Sequence, residues 1–171
     1  MTQSLKGRSA VVTGGSKGIG KGIARVLANA GARVAIVARH ADQAEAAAKE
    51  IGHGAFGLAG DVTSMASMEK VMKTVADKNG GLDVLCANAG IFPPAKLEEM
   101  TSEQWDEVVD TNLKGTFHSV KAAIPYLKQK GGRLIFMSSG AAHIGGRVSA
   151  AYAASKAGME GLMRYYALYL R

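Results

Sequence analysis

The chain has 171 residues, of which 47% are hydrophobic and 20% are charged, values typical of a globular protein and not of a disordered one. Its single cysteine excludes an intramolecular disulfide and a thiolate metal cluster, and its four histidines lack the spacing of metal ligands, so we expect no metal. No stretch has the length and apolar character of a signal peptide or a membrane span, which leads us to expect a cytoplasmic protein that does not bind membranes.

The net charge of +7 is unevenly distributed along the chain. Residues 1–60 carry +5, residues 61–111 carry −6, and residues 112–171 carry +8 with a single acidic side chain among them. A basic chain invites comparison with nucleic-acid-binding proteins, but the lysines and arginines are scattered singly and no nucleic-acid motif accompanies them. We therefore expect no nucleic-acid partner. A small phosphorylated ligand, which needs only two or three cations, fits the charge better.

Short apolar runs alternate with longer segments of helical period. The apolar runs predict strands at Arg8–Thr13, Arg33–Ala38, Ala55–Ala59, Leu82–Ala87 and Leu134–Ser138. The helical periods predict helices at Lys21–Ala30, Asp42–Ile51, Ser64–Asp77, Thr101–Gln129 and Ala150–Leu170, the fourth of them bent late, at Pro125. This alternation predicts a single α/β domain over residues 1–171, a doubly wound parallel sheet with helices on both faces.

The segment after the first strand is rich in glycine. In such a sheet the ligand lies beyond the carboxyl ends of the strands. Residues 13–20 read TGGSKGIG and lead into a helix N-terminus, where free N–H groups and the helix dipole favour an anion. A P-loop is disfavoured because Gly22 stands where a metal-binding hydroxyl is required, and the G-x-G-x-x-G fingerprint fails at Ile23. A purely structural turn stays open at this point.

The pattern T-G-x-x-x-G-I-G resembles the coenzyme loop of the short-chain dehydrogenases/reductases. Further motifs of that family follow in order and at matching intervals. They are Asp61-Val62, Asn88-Ala89-Gly90, Asn112, and the set Ser139, Tyr152 and Lys156 in the pattern S-x12-Y-x3-K. The resemblance covers essentially the whole chain. It implies a Rossmann-type fold with strand order 3-2-1-4-5 and a nicotinamide dinucleotide as cofactor.

The resemblance also implies which residues hold that cofactor. They are Gly14, Ser16, Lys17, Gly18, Ile19, Gly20, Arg39, Asp61, Val62, Asn88, Ala89, Gly90, Tyr152 and Lys156. In the family the pair at Asp61 and Val62 holds the adenine ring, and the lysine at Lys156 holds the nicotinamide ribose.

The catalytic set would consist of Ser139, Tyr152, Lys156 and Asn112. Tyr152 and Lys156 lie four residues apart on a predicted helix and so share a face. Tyrosine exchanges protons poorly at neutral pH unless a nearby cation stabilises its phenolate, and the Lys156 ammonium would supply that cation. Tyr152 would then protonate a carbonyl oxygen or deprotonate an alcohol, and Ser139 would hydrogen-bond the same oxygen. Asn112 would support a water relay to Lys156, and the chain is expected to be an oxidoreductase.

The end of the second strand bears on the choice of cofactor. An acidic residue there would bind the adenosine 2′-hydroxyl and repel a 2′-phosphate. Ala38 occupies that position, Arg39 follows it, and Lys17 adds a second cation from the glycine loop. Both cations match the NADP-preferring pattern of the family. We expect NADP(H) to be preferred over NAD(H).

The predicted substrate rim consists of residues 91–94 and 143–148, which are mostly apolar or small, with Arg147 as the one charge. The resemblance implies a carbonyl substrate, with a 3-oxoacyl thioester as the expected case and acyl carrier protein as a partner. A sugar, polyol, steroid or other small ketone is the alternative, and a non-catalytic dinucleotide-binding protein is a second one. The resemblance also implies a homo-oligomer, either a dimer or a tetramer.

The other polar residues have ordinary structural interpretations. We expect Cys86 to be a buried strand residue, the histidines to be surface or packing residues, and Glu107 and Asp110 to lie on a solvated face. Only its spacing to Tyr152 distinguishes Ser139 from a plain loop residue. The resemblance further implies a C-terminally incomplete chain, because family members continue into two more strands and a substrate lid. The fifth strand would then be an exposed sheet edge.

Overall fold

The computed structural model describes residues 4–93, 96–129, 131–145 and 148–170. Five parallel strands form one sheet: β1 (Ser9–Thr13), β2 (Arg33–Ala38), β3 (Phe56–Ala59), β4 (Val84–Ala87) and β5 (Arg133–Phe136). Their order across the sheet is β3-β2-β1-β4-β5, which confirms the predicted doubly wound topology. The order reverses between β1 and β4, and a sheet of this kind opens a crevice at that point.

The helices in the described part of the chain follow the predicted alternation. They are α1 (Gly18–Asn29), α2 (Ala41–Ile51), α3 (Met65–Asn79), α4 (Ser102–Val109), α5 (Gly115–Leu127), α6 (Ala141–Ile144) and α7 (Ala150–Tyr169). Side chains cap three of them: Ser64 begins α3, Thr101 begins α4 in a capping box with Gln104, and Ser149 begins α7. Each cap satisfies an N–H group that has no partner within the helix.

Two elements differ from the helical pattern in the sequence. The predicted helix over 101–129 is divided by a π-helical turn at Asp110–Lys114, and Pro125 lies inside α5 within its last turn. The short helix α6 lies in the predicted loop after β5. The π-helical turn spans only five residues, which is too short for a periodic pattern in the sequence to reveal.

The sheet is covered on both faces. Alternate residues of the central strands face opposite sides: Val11 and Val37 pack into a core formed with α3 and α5, while Val12 and Ile36 pack into a core formed with α1 and α2. Every residue of β1 is buried, as expected for a central strand of a parallel sheet.

The sheet edge at β5 is more open than its centre. Residues of β5 alternate between exposed and half-buried, and Ile135 is exposed. A groove of about 410 Å³ runs beside β5 between α5 and α7, with Leu127, Phe136 and Tyr166 among its walls. In the ranges that the model describes, no helix is both long and apolar enough to cross a bilayer.

Candidate active site

The carboxyl ends of β1, β2, β4 and β5 open into one cleft of about 740 Å³. Fourteen of the sixteen residues predicted for the site border it, which brings the glycine loop and the serine, tyrosine and lysine set together. Gly18 and Asn112 do not border the cleft. The cleft has further lining residues that the sequence did not single out as site residues: Val37, His40, Gln43, Gly60, Thr63, Glu107, Thr111, Met137 and Ser138.

The glycine loop requires glycine at two positions for different reasons. Gly14 has a φ of +64°, in the left-handed region that favours glycine. Gly20 has no room for a side chain, because a Cβ there would meet the Gly14 carbonyl oxygen and lie 2.5 Å from Asn88 Nδ2. The backbone of the loop therefore runs directly against the end of β4.

Thr13 and Asn88 connect the ends of β1 and β4. The Thr13 hydroxyl accepts hydrogen bonds from the Asn88 N–H at 3.0 Å and the Ala89 N–H at 3.1 Å, and donates to the Cys86 carbonyl at 3.4 Å. Asn88 Nδ2 donates to the Thr13 carbonyl at 2.9 Å. These bonds fix the floor of the cleft at the switch point. Thr13 stood in the predicted loop, but its role depends on a contact 75 residues away.

The loop fits the diphosphate of a dinucleotide. Helix α1 begins at Gly18 and points its N-terminus at the cleft, Lys17 makes no side-chain hydrogen bond to the first turn, and that turn carries no acidic residue. Its N–H groups and dipole are therefore available to an anion. Lys17 is exposed at the cleft and adds a positive charge.

The part of the cleft that was predicted to hold adenosine lies at the ends of β2 and β3. Ala38 is buried and Arg39 is exposed at the cleft wall. The Asp61 carboxylate accepts hydrogen bonds from the Thr63 N–H at 2.9 Å and the Thr63 hydroxyl at 2.8 Å, which fix its orientation. The ring nitrogen Nδ1 of His118 lies 3.0 Å from the Val62 carbonyl oxygen, so α5 supports this loop from behind.

Lys156 and Tyr152 lie on the face of α7 that borders the cleft, as their spacing predicted. Lys156 is 3% exposed, and its Nζ donates a hydrogen bond of 2.6 Å to the Met137 carbonyl. Burial lowers the pKa of Lys156, because water no longer solvates the charge. Its Nζ lies 5.7 Å from the centre of the Tyr152 ring, and that ring packs edge-on against Phe92 with centroids 4.7 Å apart.

Asn112 lies in the π-helical turn and is fully buried. Its side chain accepts a hydrogen bond from the Ile91 N–H at 2.8 Å and donates to the Ile91 carbonyl at 3.0 Å and to Ser155 Oγ at 3.2 Å. Its own carbonyl accepts a hydrogen bond from the Thr116 hydroxyl at 2.7 Å. Asn112 thus fixes the cleft wall after β4 to helix α7.

Ser139 and its neighbour Ser138 lie in the short segment between β5 and α6. Ser139 Oγ accepts a hydrogen bond of 3.2 Å from the Ala141 N–H at the start of α6. Ser138 Oγ donates a hydrogen bond of 2.8 Å to Glu160 on α7, and His143 Nε2 lies 3.1 Å from the same carboxylate oxygen. The sequence patterns indicated no role for Ser138 and Glu160, because their bond joins positions 22 residues apart.

The predicted substrate rim is partly described. Ile91 and Phe92 line the cleft, while Pro94, Gly146 and Arg147 lie outside the described residues. Burial raises the pKa of the Cys86 thiol to about 11, which keeps it protonated and unreactive. Among the residues that the structure describes, no three His, Cys, Asp or Glu side chains gather as a metal site would require.

Known proteins are similar to this chain in sequence and in fold. A family model described as short chain dehydrogenase matches residues 8–171. A 3-oxoacyl-[acyl-carrier-protein] reductase of Vibrio cholerae is 39% identical over 162 residues, an alignment that covers 94% of this chain and 66% of the relative. A D-beta-hydroxybutyrate dehydrogenase of Rhizobium meliloti is 36% identical over 167 residues, covering 94% and 65%.

A crystal structure from Sinorhizobium meliloti, described as a short-chain alcohol dehydrogenase, superposes with a TM-score of 0.90 at 35% identity. That match covers 98% of this chain and 68% of the crystallised one. The chain therefore spans about two thirds of the length of the relatives that it matches.

Proposed function

The chain belongs to the short-chain dehydrogenase family, and from that premise we propose that it is an NADPH-dependent oxidoreductase that reduces the carbonyl group of a 3-oxoacyl thioester. One observation carries the proposal: Ser139, Tyr152 and Lys156 border the same cleft as a glycine loop shaped for a diphosphate. A dinucleotide on that loop and a carbonyl compound at Tyr152 would share one cavity.

The cofactor, when bound, supplies the hydride, and the chain's residues hold the substrate and move the proton. Tyr152 donates its phenolic proton to the carbonyl oxygen as that oxygen gains negative charge, and the product leaves as an alcohol. The Lys156 ammonium beside the ring stabilises the phenolate that forms. Because an ammonium has three N–H donors, its bond to Met137 leaves two for the ribose and the proton relay.

Ser139 serves the same oxygen from the opposite element. Its Oγ accepts a bond from the Ala141 N–H, an interaction that does not use the hydroxyl proton, so Ser139 would donate that proton to a substrate oxygen. A donor fixed before the reaction stabilises developing charge without having to reorganise. The cleft-lining residues Ser139 and Tyr152 would together orient the carbonyl for hydride transfer.

Two cations support NADP(H) as the preferred cofactor. Arg39 lies directly after β2 on the cleft wall, and Lys17 lies on the glycine loop. The position that would carry a repelling carboxylate is Ala38, which has no charge. A 2′-phosphate between Arg39 and Lys17 would therefore meet positive charge and no carboxylate from Ala38.

The substrate proposal is supported by the apolar wall and by the relatives. Phe92 and Ile91 border the cleft beside Tyr152, and the reductase of Vibrio cholerae is named for a 3-oxoacyl group on acyl carrier protein. The basic last third of this chain, at +8, would suit an acidic carrier protein, and a homo-oligomer is part of the proposal. The second candidate, a dehydrogenase of small 3-hydroxy acids, is favoured by the relative named D-beta-hydroxybutyrate dehydrogenase.

The test is NADPH oxidation by the purified chain with an acetoacetyl thioester. We expect turnover, and we expect Tyr152→Phe to lower kcat by about 10²- to 10⁴-fold because the proton donor is lost. NADPH affinity, measured by fluorescence titration, should be unchanged. Tyr165→Phe is the matched control, since Tyr165 is an exposed tyrosine on the same helix.

Other outcomes separate the alternatives. Faster turnover with 3-hydroxybutyrate and an oxidised cofactor than with the thioester would favour the second candidate. NADPH binding without turnover on any carbonyl compound would make the protein a non-catalytic dinucleotide binder, and an unchanged kcat in Tyr152→Phe would remove that residue from the mechanism.

A further inference from the structure

We propose that Glu160 is a positioning residue of this active site, which fixes the segment carrying Ser139 to the helix carrying Tyr152 and Lys156. The inference rests on the proposed function and goes beyond it, because Glu160 does not border the cleft and belongs to none of the predicted site positions. Its effect on catalysis would pass through Ser138 and Ser139.

The spacing along α7 sets the first step. Tyr152, Lys156 and Glu160 follow one another at intervals of four residues, so all three lie on one face of the helix. Lys156 Nζ binds the Met137 carbonyl at 2.6 Å, and Glu160 Oε1 accepts the Ser138 hydroxyl at 2.8 Å. The two residues directly before Ser139 are therefore both attached to the helix of the proposed proton donor.

The same carboxylate also contacts the segment after Ser139. His143 on α6 places its Nε2 3.1 Å from Glu160 Oε1, and α6 begins with the bond from the Ala141 N–H to Ser139 Oγ. Glu160 thus contacts a residue on either side of Ser139. With both sides fixed to α7, the distance between the Ser139 hydroxyl and the Tyr152 ring is set by α7 and not by the loop.

The charge pattern makes this carboxylate distinctive. Glu160 is the single acidic residue among positions 112–171, and its side chain is only 17% exposed. A carboxylate that is largely withdrawn from water costs free energy unless it finds partners, and an apolar residue there would avoid that cost. The partners it has are Ser138, His143 and, at 3.8 Å, Arg164 NH1.

The contacts of Glu160 differ in strength. The side chains of His143 and Arg164 are 67% and 66% exposed, so their pairs with Glu160 are screened by water and contribute little to folding stability. The hydrogen bond that the Ser138 hydroxyl donates to Glu160 is less exposed, and its acceptor is a charged oxygen. It is therefore the stronger attachment. Loss of the Ser138 bond should therefore account for most of the effect on Ser139.

The experiment compares Glu160→Ala, Glu160→Gln and Ser138→Ala in the full chain. We expect Glu160→Ala to lower kcat with the acetoacetyl thioester by about 10- to 100-fold, since a small misplacement of a catalytic group has effects of that order. The KM for NADPH should stay unchanged, because the diphosphate loop lies on β1 and α1. Glu160→Gln keeps an oxygen that accepts from Ser138 and should recover most of the loss.

Two further measurements distinguish positioning from simple stabilisation. The first uses the double variant Glu160→Ala with Ser138→Ala. If Glu160 acts through Ser138, kcat of the double variant should fall no further than kcat of the more affected single variant. Independent sites would instead show additive losses. Hydrogen exchange should quicken in residues 138–144 and not in the glycine loop. The matched control is Asp77→Ala, which removes an exposed carboxylate paired at 2.7 Å with Lys73 on α3 and should change neither readout.

Several results would overturn the inference. One is a Glu160→Ala variant with unchanged kcat and only a lowered melting temperature, and another is additive losses in the double variant. If the unaltered chain turns over no carbonyl compound, the proposed function fails, and hydrogen exchange still decides: unchanged exchange over 138–144 in Glu160→Ala refutes the attachment, and faster exchange confined to that segment supports it.

Discussion

The side of the cleft proposed to hold the nucleotide (the nucleotide side, at the glycine loop) and the side proposed to carry the chemistry (the catalytic side, at Ser139, Tyr152 and Lys156) are held in place by different kinds of atoms. On the nucleotide side the backbone of the glycine loop packs against the end of β4, beside the fully buried strand β1. On the catalytic side the half-exposed strand β5 and the four-residue helix α6 depend on side chains of α7, chiefly Lys156 and Glu160. Changes on the first side should damage fold and binding together, whereas changes on the second should separate turnover from fold.

The largest expected effect lies on the catalytic side. Replacement of the Lys156 ammonium, as in Lys156→Met, removes the charge proposed to stabilise the phenolate and should lower kcat by about 10²-fold or more. Thermal unfolding should show a folded protein, because methionine fills a similar volume. The matched control is Lys73→Met, which removes an exposed lysine on α3. If Lys156→Met lost its fold together with its activity, turnover and fold would not be separable on the catalytic side, contrary to the comparison above.

Lys156 also predicts a dependence of stability on pH. Burial lowers its pKa in the folded state below the ordinary 10.5. Between the lowered value and 10.5 the unfolded chain holds a proton that the folded chain has released, so the contribution of Lys156 to the free energy of unfolding rises with pH across that window. Urea unfolding of the unaltered chain and of Lys156→Met, repeated at several pH values in that window, gives the free energy of unfolding of each. The unaltered chain should gain stability with pH relative to the variant. An equal pH dependence in both proteins would show that Lys156 is solvated and would contradict the prediction.

The next effect concerns the nucleotide side. A Cβ at position 20 collides with backbone atoms that cannot move aside, so Gly20→Ala should lower the free energy of unfolding by about 1–3 kcal/mol and abolish NADPH binding. A Cβ at position 22, on the same helix, meets open space. Gly22→Ala should therefore raise the free energy of unfolding by about 0.5–1 kcal/mol. Urea titration of both variants gives the contrast, and equal effects at the two positions would contradict the packing described for the loop.

The smallest expected effect concerns Arg39, an exposed side chain on the nucleotide side. Arg39→Ser should raise the KM for NADPH by about 10-fold, the order expected for one charge-assisted contact, and leave the KM for NADH and the fold unchanged. Arg33→Ser is the matched control, because Arg33 is an exposed arginine at the opposite end of β2. Steady-state kinetics with both cofactors would decide, and an unchanged NADPH to NADH ratio in Arg39→Ser would remove Arg39 from cofactor selection.

The nucleotide side was largely predictable from the sequence, because its parts are local. The five strands and the position of the glycine loop follow from apolar runs and from the glycines next to them, and the strand order followed from the family resemblance. The face shared by Tyr152 and Lys156 likewise follows from helical periodicity alone. The roles proposed for these residues, and the single domain over residues 1–171, stay predictions.

The features that the sequence did not reveal are those made by contacts between distant positions. The π-helical turn at Asn112 coincides with a buried amide bound to Ile91, 21 residues away, and helix periodicity carries no trace of that contact. Helix α6 has only four residues, too few for a periodic pattern. The Ser138–Glu160 bond joins the end of a strand to the interior of a helix. Each residue taken alone is of a type that is common at protein surfaces.

The Thr13 hydroxyl has a consequence for how the cleft can move. Its one proton and both lone pairs are used by Cys86, Asn88 and Ala89, so a single oxygen atom joins the end of β1 to three residues at the carboxyl end of β4. Widening the floor would require three hydrogen bonds to break at once. Breathing motions of this cleft should therefore pivot at the floor and open the rim, where Phe92 and the segment after β5 lie.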